Sequence, residues 1–80
     1  MKAAPRDTTM GALAEYRARV RMAEFHRSMA ARFEAKRDRC EGVERQAMEN
    51  CRVQALRSEK GAEAKASELR LMLRSKGVLQ

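Results

Sequence analysis

The residues able to do covalent or metal chemistry are few and badly spaced for it. The chain holds one histidine, His26, and two cysteines, Cys40 and Cys51. A histidine acting as general base or metal ligand needs a nucleophile or a second ligand at a usable spacing, and none accompanies His26. On one continuous helix the two cysteines would share a face but lie about 16 Å apart along the axis, beyond a disulfide or a shared metal. They read as small apolar residues. The acids Glu24, Glu34, Asp38, Glu41, Glu44 and Glu49 show no arrangement beyond an ordinary helix surface. The expectation is a chain with no catalytic residue, no metal, no cofactor and no small-molecule substrate.

What the sequence does offer is ionic chemistry. The chain carries 18 basic against 11 acidic residues, a formal charge of +7. Most of the basic residues are arginine, whose planar fork suits phosphate and carboxylate oxygens. The excess is concentrated between Arg17 and Arg57. Glu15–Arg19 and Glu41–Arg45 place acid before base at i,i+4, as on any solvated helix. Arg17–Arg21 and Arg70–Arg74 are like-charge pairs that a merely solvated helix does not explain. Arg17, Arg21, Arg32, Arg39 and Arg52 are accordingly the candidates for binding a polyanion, either RNA or an acidic protein surface. Zinc-finger spacing, an aromatic nucleic-acid box and a basic region followed by leucine heptads are all missing.

These side chains need an element to carry them, and composition allows only one kind. Leu, Val and Phe number 6, 4 and 2 among 80 residues, with no Ile and no Trp. That is below the roughly 20% at which a highly charged chain builds a core of its own. From Met10 onward the residues are mostly Ala, Arg, Glu, Met, Lys, Gln and Leu, all strong helix formers. Asp7, Thr8 and Thr9 are N-cap candidates. Gly77, following Arg74 and Lys76, is placed as a left-handed C′ residue with Val78 folding back on Leu73.

The hydrophobic pattern argues for continuity. A stripe at 4-4-3 spacing runs through Ala14, Ala18, Met22, Phe25, Met29, Phe33, Lys36, Cys40, Glu44, Ala47, Cys51, Ala55, Ser58, Ala62, Ala66, Leu69, Leu73 and Gly77. Its phase survives Gly42 and Gly61, and an 11-residue repeat makes a nearly straight helix. The predicted fold is all-α: a short arm over residues 1–9, one long helix over about 10–76 with a kink near Gly61, and a cap at 77–80. A helical hairpin turning near Gly42 or Gly61 is the alternative.

A lone helix cannot bury its apolar stripe, so a partner must. Met22, Phe25, Met29, Phe33, Leu69 and Leu73 are the expected contacts with other protein subunits. No run approaches the ~20 apolar residues of a membrane span. The opening residues read neither as a signal peptide nor as a presequence. An intracellular, reducing compartment is expected rather than secretion. The function that fits is a non-enzymatic accessory subunit laying a basic helix on a large acidic assembly, a ribonucleoprotein such as a ribosome or a filament such as a microtubule. A self-associating coiled-coil adaptor, scaffold or stalk is the alternative, less favoured because such bundles want more Leu, Ile and Val.

Overall fold

The computed structural model describes residues 6–79, with side chains from Thr9 onward. Its described residues form two helices, α1 (Arg6–Arg37) and α2 (Gly42–Ser75). The all-α expectation holds, but the single long helix is replaced by the alternative, an antiparallel hairpin. Helix α1 already includes residues 6–9, assigned to the arm by sequence, and residues 1–5 lie outside the described residues.

The reversal has a local cause at residues 38–41. The end of α1 tightens into i→i−3 bonds, with Arg39 N–H donating to the Lys36 carbonyl at 3.0 Å and Cys40 N–H to the Arg37 carbonyl at 3.1 Å. Glu41 is extended (φ −135, ψ 160). Gly42 then takes φ +61, a left-handed conformation that strains any side chain bearing a Cβ. Arg45 Nη1 also donates to the Arg37 carbonyl, at 3.3 Å, adding a second bond to the acceptor that Cys40 N–H uses and tying the start of α2 to the end of α1. Gly61, the other candidate break, lies within an uninterrupted α2.

Two helices in register make one thin layer. The long axis is 59 Å and the shortest 13 Å, little more than one helix diameter. A continuous helix over 10–76 would have been roughly 100 Å long. With no third layer, both broad sides of the pair face solvent.

The seam between the helices is narrow. Its buried apolar residues are Ala12, Ala23 and Ala30 from α1 and Ala55, Ala62, Ala66, Leu69 and Leu73 from α2. Six of these eight are alanine, which lets the backbones approach but buries little surface, at about 0.8 kcal/mol per buried CH₂. The apolar weight sits at the open end. Leu73 is 0% exposed and packs with Ala12 and Leu69, covered by Leu13, Tyr16, Met72 and Leu79. Helix α2 ends there in the predicted left-handed cap. Gly77 (φ +77) donates to the Arg74 carbonyl at 3.0 Å and Val78 to the Leu73 carbonyl at 2.9 Å. Leu79 packs against the Leu73 cluster, while Val78 stays 38% exposed.

The hairpin also re-sorts the apolar stripe. Its α2 half is the seam, with Ala55, Ala62, Ala66, Leu69 and Leu73 buried. Its α1 half is not. Ala14, Ala18, Met22 and Phe25 are exposed, and α1 instead faces α2 through Ala12, Ala23 and Ala30. The continuity of phase across Gly42 was coincidental: α2 keeps the stripe as its inner line, whereas α1 turns a different line, through Ala12, Ala23 and Ala30, to the seam.

Candidate docking face

The turn end of the seam is ionic. Glu49 accepts from Arg52 Nη2 and Arg37 Nη1, both at 2.7 Å, and Arg37 also reaches Asp38 at 3.2 Å. These forks, Arg52 first and Arg37 second, hold the Glu49 carboxyl down at about 2. The same bonds push both guanidinium groups up. Arg52, expected to meet a polyanion, is thus engaged by a carboxylate of its own helix.

The two broad sides of the hairpin differ. On one side Arg27 spans the seam, donating from Nε to Glu59 at 2.7 Å and from Nη2 to Glu63 at 3.0 Å. The groove there is lined by Tyr16, Val20 and Glu24 from α1 and by Glu63, Ser67 and Arg70 from α2. Donors and acceptors from both helices meet across it. The opposite groove, of about 310 Å³, has Phe25, Met29 and Phe33 on its α1 bank and Cys51, Ala55 and Ser58 on its α2 bank. Apolar atoms dominate it. The Phe25 ring is 60% exposed and meets His26 edge-on, with ring centres 5.4 Å apart.

Beside that second groove runs the outer surface of α1. At about 100° per residue, Arg17, Arg21, Arg32 and Lys36 fall within an arc of about 100°, with Phe25 inside it and Met22 at its groove edge. All six are exposed. The helix's acids with described side chains lie off this arc. Glu15 bonds Arg19 at 3.5 Å, Glu24 lines the opposite groove, and Glu34 raises the Arg52 guanidinium electrostatically. Among the described residues, none of the four arc cations is paired with a carboxylate. Between Arg17 and Lys36 this basic arc carries no acid, and it meets an apolar slot along one line.

No protein-family model, curated protein or solved structure matches this chain. What the surface can do therefore rests on its own geometry.

The structure brings together Arg17, Arg21 and Arg32 with Phe25 and Met22, and sets half-buried Met29 and Phe33 in the adjoining groove. It does not bring the other candidates there. Arg39 lies in the turn, Arg52 is bound to Glu49, and Leu69 and Leu73 are buried against α1. The partner expected for those two leucines is the chain's own first helix. Sequence reasoning passed over Lys36 as an interruption of the stripe, although its 4-11-4 spacing with Arg17, Arg21 and Arg32 signals a shared face. It could not find the α2 bank, because only the reversal at Gly42 puts Cys51 and Ser58 opposite Phe25. Cys40 and Cys51 are free thiols, and no group of three His, Cys, Asp or Glu side chains among the described residues is arranged to hold a metal. Among the described residues no helix is long and apolar enough to cross a membrane.

Proposed function

We propose that this chain is a non-enzymatic accessory subunit that docks as a helical hairpin on the acidic surface of a larger assembly, such as a ribonucleoprotein or a filament. The observation that carries this reading is the outer face of α1, where Arg17, Arg21, Arg32 and Lys36 share one arc with exposed Phe25 and no acid falls on that arc between Arg17 and Lys36. The hairpin's own stability gives no reason for that grouping. Four like charges on one helix face repel one another, and an exposed phenyl ring forgoes burial worth about 1.5–3 kcal/mol. Both costs are relieved by an anionic partner that covers the face.

The self-associating alternative draws on the same exposed Phe25 and Met22, but a second copy would bring the same four cations against the first. An acidic host neutralises them.

The test is salt-dependent binding of the full chain to bulk RNA and to an acidic filament. Native binding should weaken steeply over ~50–300 mM salt, with a log–log slope for RNA of about −0.7 to −0.9 per phosphate neutralised. Arg21→Glu with Arg32→Glu should reduce affinity at least tenfold at low salt, while charge reversal at Arg27, on the other side, leaves it near native. Binding that ignores both salt and the Arg21/Arg32 variant would remove the proposal.

A further inference from the structure

The basic arc alone suits any acidic surface, whereas the apolar groove beside it is more selective. We infer that the Phe25 groove receives an amphipathic acidic α-helix of a partner protein, which completes a three-helix bundle with the hairpin. This rests on the docking reading and narrows it.

Three features select this occupant. The slot is bounded by two antiparallel helices, with Phe25, Met29 and Phe33 on one bank and Cys51, Ala55 and Ser58 on the other. A rod of helical diameter lies along such a slot and buries an apolar stripe in it, as in other helix-in-groove complexes. A sugar–phosphate backbone would leave the apolar slot unused, since phosphates gain nothing against Met29 and Phe33. A lipid surface engages the outermost apolar groups but is flat, and it does not fill a recess whose floor is Ala55, 7% exposed.

The charges then fix the partner's polarity. The α1 rim carries Arg21, Arg32 and Lys36, all exposed. The α2 bank lines the groove with Cys51, Gln54, Ala55 and Ser58, and Arg57 is the exposed cation beyond it. The incoming helix should place most of its acids along the flank facing α1, where the cations are more numerous. A second copy of this chain is disfavoured by the same rim, because its own exposed α1 face is basic.

The two free thiols provide the readout, since Cys51 lines the groove and Cys40 lies in the turn. The probe is a synthetic helical peptide of about 18 residues, roughly 27 Å long, with a Leu/Ala stripe and glutamates on one flank. Alkylation of the full chain by iodoacetamide is followed by mass spectrometry, with and without the peptide. The peptide should slow alkylation of Cys51 at least tenfold and leave Cys40 unchanged. Protection should fade with salt, and it should fall at least tenfold in Phe25→Ala, a substitution at an exposed position that leaves the seam intact. Arg32→Glu should weaken it in the same way.

Several results would overturn the inference. One is equal protection by a charge-reversed peptide with lysines in place of the glutamates. Others are protection by polyuridylate or phosphatidylserine vesicles but not by the peptide, and protection that grows with the concentration of the chain alone. If polyuridylate binds with steep salt dependence while the peptide does not, the acidic helix is wrong and the docking reading stands. If neither binds, both fall.

Discussion

The two broad sides of this hairpin share one seam and are finished differently. On the Arg27 side, Arg27, Glu59 and Glu63 close the groove with bonds of 2.7 and 3.0 Å between the chain's own charges. On the Phe25 side no such bridge crosses among the described residues. Aromatic and thioether side chains are left at the surface, and among the described residues the cations beside them pair with no carboxylate. The alanine seam serves both sides equally, so packing of α1 on α2 does not require the difference. The lesson is that a small protein can satisfy itself on one side and stay unsatisfied on the other. The unsatisfied side is where another molecule is expected.

The comparison breaks most completely if the shared seam is removed. Leu73→Ala empties the one fully buried large side chain among the described residues and should lower unfolding free energy by about 2–5 kcal/mol in a urea titration. With so small a core that variant should be largely unfolded, and both grooves lost together. Intact helicity in Leu73→Ala would mean that the seam does not hold the hairpin.

A smaller effect should come from acid. Because the Glu49 carboxyl is held at about 2, well below its ordinary 4.5, its ion pairs contribute fully above about pH 4.5. That contribution is lost as pH falls from there toward 2, when the folded carboxylate takes up its proton. Thermal melts of native protein and Glu49→Gln should converge over that interval and separate above it. A constant gap between the two would show that Arg37 and Arg52 do not hold Glu49 in solution.

The smallest effects sharpen the comparison between the sides. Arg27→Ala should shift the melting midpoint only slightly, since exposed ion pairs stabilise little, and should leave docking unchanged. Phe25→Ala should also melt as native, yet weaken binding to the acidic host. A loss of stability in Phe25→Ala comparable to Leu73→Ala would make Phe25 a core residue and erase the distinction.

How much of this was legible in the sequence follows from the range of each interaction. Helix content and the C-terminal cap depend on residues within a few positions of one another, and both Gly77 and the Arg74 region were readable. The Glu15–Arg19 pair was readable for the same reason. The reversal was less so, because Asp38-Arg39-Cys40-Glu41-Gly42 is made of residues that helices also accept, apart from one glycine. Leu69 and Leu73 were correctly singled out as needing cover, but sequence cannot say whether a cover is another molecule or residue Ala12 of the same chain. Arg52 was different, a local signal that went unread: its fork is taken by Glu49 only three residues back. The docking surface was half visible, through Arg17, Arg21, Phe25 and Arg32. Its other bank required knowing that α2 returns beside α1.

Both grooves and the docking face exist only if the chain turns back at Gly42, and one distance decides that. With Cys40→Ser and Cys51→Ser as background, spin labels at Ala18→Cys and Ala64→Cys sit on exposed positions of α1 and α2. Pulsed electron-spin measurements on the hairpin should give a single distance below about 30 Å, two helices being packed 8–10 Å axis to axis with labels pointing away. A continuous helix would place the same labels roughly 70 Å apart at 1.5 Å per residue. A distribution centred near that longer value would contradict the hairpin, and with it both grooves and the docking face.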